Sequence, residues 1–306
     1  MNEFIPFGLP KPMKAVPLHP KVFTTRRNTT VEYLTQPKFR GVRCQAVVFD
    51  NFIRLYSSLH HELPHLPHLL EELRFLPYGI YDGELYNSSL NQQEINSIAL
   101  RKINRHPDYT QVYFHIYDLV PLPNTPLANF TAIQRWRALE SRFAWPDLWK
   151  KTPHVKLVPT QLSSDYFDFL EKTQEYLEAG YEGGIVRIST ALYSPGKTTA
   201  MYKYKPSETD SYRILGVREA YSIDGEPKGM LGSFKVIDKE GNTFFVGAGR
   251  LPHHTRVKYW NQRSQFYVKK LYVLVAHEPY SSSRGVPSCC AVVDVIGVGE
   301  EADALE

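Results

Sequence analysis

KFRGVR, residues 38–43, sets a lysine three positions before a glycine, between an extended run ending at Pro37 and a strand starting near Gln45. Alone, such a lysine is an ordinary surface residue, because lysines are almost never buried without a partner. The flanking chain supplies the context. Gln45–Asp50 and Phe52–Ser57 gather aromatic and β-branched residues around the turn formers Asp50 and Asn51, which predicts a hairpin. Further strand-like runs are Gly79–Tyr86, Val112–Val120 and Gly184–Ile188. Residues 1–30 carry five prolines and little periodicity, so they predict an irregular or short-element lead-in, with order beginning near Tyr33.

Two helices interrupt these strands. In residues 131–143, Ile133, Trp136, Leu139 and Phe143 recur at helical spacing, as do Tyr166, Phe169, Leu170, Thr173 and Leu177 in residues 163–180. Ser163, Ser164 and Asp165 offer N-caps to the second, and Gly180 offers a left-handed terminus. After Pro206 the pattern changes to five short strands with turn signals and one brief segment near His254–Trp260, which suits a small oligonucleotide-binding barrel. The boundary is expected near Ser207–Ser211.

Three more stretches matter beside KFRGVR. YDGELY (81–86) puts Glu84 on a strand, YEGGIVRIS (181–189) puts Glu182 before a double glycine, and MYKYKP (201–206) puts Lys203 and Lys205 on one face of an extended segment. Each singly reads as a solvated carboxylate, a turn, or a charged strand edge. Together and in this order, with VYFHIYDLV (112–120) between them, they resemble the nucleotidyltransferase motifs of ATP-dependent DNA ligases, RNA ligases and mRNA capping enzymes. That pattern runs K-x-D-G-x-R, D-G-E-L, an aromatic-plus-Asp strand, E-G-[IV]-V and K-x-K, and the match is good over residues 33–206. The fold it implies is α+β: an ATP-grasp-like nucleotidyltransferase domain with antiparallel sheets over residues 1–208, an OB-fold barrel over 209–299, and an acidic tail at 300–306.

The resemblance also implies roles. Lys38 becomes the nucleophile that carries AMP, assisted by Lys203 and Lys205; Arg43, Glu84, Tyr117, Glu182, Lys203 and Lys205 hold ATP, and Glu84 and Glu182 hold Mg²⁺. Tyr117 stacks on adenine and Phe114 helps wall the pocket. The chemistry is consistent with these residue types. An attacking amine must be neutral although its ordinary pKa is ~10.4, so nearby cations or burial must favour the neutral form. Arg43, Lys203 and Lys205 can do this and also offset charge on the transferred group. The partner implied is nicked duplex DNA, sealed by a monomeric enzyme of the small bacteriophage type. An RNA ligase, a capping-type enzyme, and an inactive ligase-fold nucleic-acid-binding protein are the alternatives.

The sequence departs from the pattern in three places. Arg40 stands where the family has the aspartate of K-x-D-G, Ser58 stands where an arginine is expected, and the final strand, GVPSCCAVVDVI, lacks the basic residue that many relatives place against the leaving pyrophosphate. Lys269 and Arg284 are the substitutes at hand.

Composition narrows the remaining classes. At 306 residues, 42% hydrophobic and 22% charged, the chain suits two domains, and no run approaches the ~20 apolar residues of a membrane span. The opening residues lack the pattern of a secretory signal, so a cytoplasmic protein without a membrane partner is expected. Three cysteines, two of them the adjacent Cys289 and Cys290, make no disulfide framework or zinc spacing. The formal charge is +4, but the four acids of EEADALE (300–306) mask a charge of +8 over residues 1–299, which favours a polyanionic partner. Lys228, Lys235, Arg250, Arg256 and Lys258 of the barrel region are candidates to track phosphates. His61, Glu62 and His65 spell H-E-x-x-H, yet Pro64 inside the motif removes the helix that zinc binding needs, at a cost of ~3 kcal/mol.

Overall fold

Between Tyr113 and Ile116 buried and half-exposed side chains alternate, so Phe114 and Ile116 face one way and Tyr113 and His115 the other. That period-two split, one face on a core and one on a cleft, organises the first of two compact units, Met1–Tyr204 and Lys205–Glu306. The computed structural model describes residues 8–24, 32–50, 52–249, 251–268, 271–277, 286–287 and 290–296.

The described strands of the first unit are β1 (Met13–Pro17), β2 (Tyr33–Lys38), β3 (Val42–Phe49), β4 (Phe52–Ser57), β5 (Gly79–Tyr86), β6 (Tyr113–Val120), β7 (Val155–Leu157), β8 (Gln161–Ser163), β9 (Gly183–Ile188) and β10 (Gly196–Tyr204). They form two five-stranded sheets, ordered β1-β10-β9-β2-β8 and β4-β3-β5-β6-β7. The second sheet buries Cys44, Ala46, Leu55, Leu85, Phe114 and Ile116 in one core with Leu69 and Leu73 of the helix Pro67–Leu73 and Leu139 of the helix Ala132–Phe143. The first sheet packs Tyr33, Val186 and Ile188 around Phe169 of the helix Tyr166–Glu178. Asp165 caps that helix, its side chain accepting from the N–H groups of Phe167 (2.9 Å) and Asp168 (3.0 Å).

Gly184 explains half of the double glycine. A β-carbon there would lie 2.4 Å from Thr173 Oγ1 and 3.0 Å from the Phe169 ring, so the helix can sit on β9 only because that position has no side chain. The helix Gln92–Ala99 was not expected. Its signal was present as Asn91 and Glu94, whose side chains cap each other's backbone N–H groups in a capping box.

Two expectations are corrected. Order begins before Tyr33, because the short elements of the lead-in are β1, Met13–Pro17, and a helical turn, Lys21–Thr24. Prolines at 12, 17 and 20 bound these elements and do not abolish them, and the partner of β1 lies more than 180 residues away, beyond any local pattern. The sheets are also mixed and not purely antiparallel, since β1 runs parallel to β10 and β7 parallel to β6. Both are edge strands reached through long connections, which leave direction unconstrained. The H-E-x-x-H stretch is not helical: Glu62 pairs with Arg54 at 3.1 Å, and the helix that follows begins with Pro67 in its first turn.

In the second unit β11 (Glu208–Tyr221), β12 (Pro227–Ile237), β13 (Thr243–Gly247), β14 (Tyr272–His277) and β15 (Ala291–Ile296) close into a ring ordered β11-β12-β13-β15-β14, with β14 returning to β11. Leu231, Phe234, Val236, Val246, Val273 and Val275 fill it. The helix His253–Asn261 lies between β13 and β14, and Arg256 donates to the Leu231 carbonyl at 2.8 Å, so this cation supports packing. Arg250, Lys269, Arg284, Cys289 and the acidic tail 300–306 lie outside the described residues.

Candidate active site

The register of β2, β9 and β10 brings Gln36, Ile185 and Lys203 into one row across the first sheet. Arg187 and Met201 form the next row on the same face, two residues along each strand. Lys38 ends β2 opposite Gly183. On the second sheet Arg43, Glu84 and His115 make the corresponding row. Between these faces lies a cleft of about 450 Å³. Of the expected residues, Lys38, Arg43, Glu84, Tyr117 and Lys203 line it. Lys14, Gln36, Arg187 and Lys197, which the sequence reading passed over, line it too.

Gly41 lets the lysine loop close on the second sheet. A β-carbon there would stand 2.2 Å from the Leu85 carbonyl oxygen and 2.8 Å from Glu84 Cγ, so the glycine of the motif is required by close approach. Phe39, between the two, is buried and packs its ring against Tyr86, His115 and Tyr181. Together these contacts fix the backbone on which Lys38 sits.

Half of the cations lining the cleft are paired with acids. The Glu182 carboxylate meets Lys38 Nζ through Oε2, while Oε1 lies 3.6 Å from Arg40 Nε. The Glu182 N–H donates to the Lys38 carbonyl at 2.9 Å. Arg43 forks onto buried Asp82, at 2.7 Å from Nε and 2.5 Å from the terminal nitrogen. Arg187 donates to Asp118 at 2.7 Å and to Gln36 Oε1 at 3.0 Å, and Arg135 holds the same aspartate at 2.8 Å. The two guanidiniums of Arg43 and Arg187 lie 4.9 and 5.4 Å from the centre of the Tyr117 ring.

These surroundings set the carboxyl groups apart. Burial pushes Glu84 up to about 7, against the opposing pull of Arg43 and Lys38. Burial would also raise Asp118, but Arg135 and Arg187 hold it below the usual carboxylate range. Desolvation and the nearby Lys156 lower His115 to about 4, so it is neutral at physiological pH.

One expected wall residue is misplaced. Phe114 is fully buried in the core beneath the second sheet, because it alternates with Tyr113 and His115 and so points away from the cleft. Lys205 follows the last residue of β10 and falls in the second unit. Asp82 was legible: it alternates with Glu84 on β5 and so shares its face. Arg187 was legible in the same way from Ile185, whereas nothing local marks Lys14.

The model of the ATP dependent DNA ligase domain matches residues 12–205. Among curated proteins, the DNA ligase of Methanococcus aeolicus is 26% identical over 227 residues, which cover 69% of this chain and 39% of that protein. The chain thus spans about two fifths of the length of that relative. Among solved structures, one of the Lig E DNA ligases superposes with a TM-score of 0.70 at 19% identity, over 94% of this chain and 100% of the other. The ATP-dependent DNA ligase of bacteriophage T7, in complex with ATP, superposes with a TM-score of 0.55 at 16% identity, over 94% and 98%. With most of the first unit matched by the family model, and Lys38, Arg43, Glu84, Tyr117 and Lys203 gathered in one cleft, the chain belongs to the ATP-dependent DNA ligase family.

Proposed function

We propose that this chain seals 5′-phosphate/3′-hydroxyl nicks in duplex DNA with ATP, through AMP carried on Lys38. The observation that carries this reading is the placement of Lys38 in a cleft shared with Tyr117, Arg43, Glu84 and Lys203, with Glu182 against its ammonium group. Lys38 Nζ, once neutral, attacks the α-phosphorus of ATP; the bond to the β-phosphate oxygen breaks, its electron pair leaves with pyrophosphate, and an amine proton is released, with Glu182 in place to take it. AMP then passes to the 5′-phosphate oxygen of the nick, and the 3′-hydroxyl displaces it. Tyr117 offers its ring to the adenine, and Lys203 offers charge to the phosphates.

Mg²⁺ takes one or two carboxylates together with substrate phosphates, and Glu84 and Glu182, both beside Lys38, are a donor set of that kind. Such an ion would draw charge from the phosphates. Among the described residues no group of three or more His, Cys, Asp or Glu is arranged to hold a metal without substrate.

We read the second unit as an oligonucleotide-binding barrel. Support comes from its five strands, their β11-β12-β13-β15-β14 order, and the helix between β13 and β14. Incubation with ATP and Mg²⁺ followed by intact-mass measurement tests the first step: a mass increase of one AMP that disappears in Lys38→Ala is expected. Nicked DNA and nicked RNA duplexes then separate the substrates, and sealing confined to RNA would overturn the DNA assignment.

A further inference from the structure

Three of the six cations lining the cleft are ion-paired with acids of the first unit: Lys38 with Glu182, Arg43 with Asp82, and Arg187 with Asp118. The other three are Lys14, Lys197 and Lys203, and among the described residues none of these has an acid within ion-pair distance. Lys14 and Lys197 are register partners on the parallel strands β1 and β10, which places two ammonium-bearing side chains side by side at the strand spacing of ~4.8 Å. Like charges directly across a strand pair repel, so this arrangement costs stability unless an anion lies over both. Both side chains are exposed, in contrast to buried Asp82 and Asp118. The cations of the cleft without an ion-pair partner therefore sit at its rim.

Building on the ligase reading above, we infer that Lys14 and Lys197 form a two-lysine clamp for the β- and γ-phosphates of ATP, and hold the pyrophosphate as it leaves Lys38-bound AMP. This places the contact on the N-terminal strand of the first unit, in a chain whose final strand, Ala291–Ile296, has no basic residue. The clamp acts on a diphosphate group, so its effect belongs to steps in which pyrophosphate is bound or released. It does not act where enzyme already carrying AMP meets a nick.

The test compares the full chain with Lys14→Gln/Lys197→Gln and with Lys14→Arg/Lys197→Arg. Binding of inorganic pyrophosphate, measured by titration calorimetry at two salt concentrations, should weaken about tenfold or more in the glutamine variant and be restored in the arginine variant, since a charged contact is worth enough for that change. The KM for ATP in adenylation should rise in parallel. The loss in sealing by enzyme already bearing AMP should be much smaller than the loss in adenylation. Unchanged pyrophosphate binding overturns the clamp, as does a loss that falls equally or more on sealing, which would assign the lysines to DNA. If the wild-type chain forms no AMP adduct yet loses pyrophosphate affinity on mutation, the clamp stands and the ligase reading falls.

Discussion

Glu182 engages Lys38 at both ends: its N–H donates to the Lys38 carbonyl at 2.9 Å, and its carboxylate meets the same residue's ammonium. The backbone contact survives loss of the side chain, so Glu182→Ala separates chemistry from folding. Adenylation of Lys38 is expected to fall by roughly 10²-fold or more, with little change in melting temperature. Intact-mass kinetics beside a thermal scan check both, and full adenylation by the alanine variant would remove Glu182 from the mechanism.

Arg40 shares that carboxylate, with its Nε 3.6 Å from Glu182 Oε1. Restoring the family aspartate would set one carboxylate against another in the space the guanidinium now occupies. Arg40→Asp is therefore expected to lower the rate of adduct formation about tenfold or more, while Arg40→Lys retains most of it. A faster Arg40→Asp enzyme would show that the aspartate is still required here.

Glu84 confers a pH dependence of known sign. Burial raises it from 4.5 to about 7, so the folded chain keeps a proton that the unfolded chain has lost. Its contribution to stability is full below about pH 4.5 and is lost as pH rises through about 7. Glu84→Gln should flatten this part of the stability curve, with a gain near pH 8 on the order of 1–2 kcal/mol after allowance for partial solvent access. Urea denaturation of both proteins across that range, without ATP or metal, measures it.

Asp118 is fixed by two arginines, Arg135 at 2.8 Å and Arg187 at 2.7 Å, and Arg135 is buried beneath the helix Ala132–Phe143 that carries it. Arg135→Ala leaves a buried carboxylate with one partner and should destabilise the first unit by about 3–5 kcal/mol. Asp118 would also titrate at higher pH, so the variant's stability deficit should be largest at neutral pH and shrink on acidification, where wild type loses the same ion pairs. Chemical denaturation at neutral and mildly acid pH distinguishes this from a simple cavity effect, which would not depend on pH.

Local sequence settled much of this protein. Hydrophobic spacing marks the helix around Phe169, turn formers mark the hairpin at Asp50, and the order of KFRGVR, YDGELY, YEGGIVRIS and MYKYKP points to one site. Those signals are local because helix periodicity, strand alternation and a motif each depend on a few neighbouring residues. Tertiary structure alone decided that β1 joins β10 across the length of the domain, that Lys14 therefore stands beside Lys197, and which cations Asp82, Asp118 and Glu182 pair with. Pairing of distant strands is set by which edges remain open once the rest has packed, and the charge left in the cleft depends on which acids that packing brings within reach.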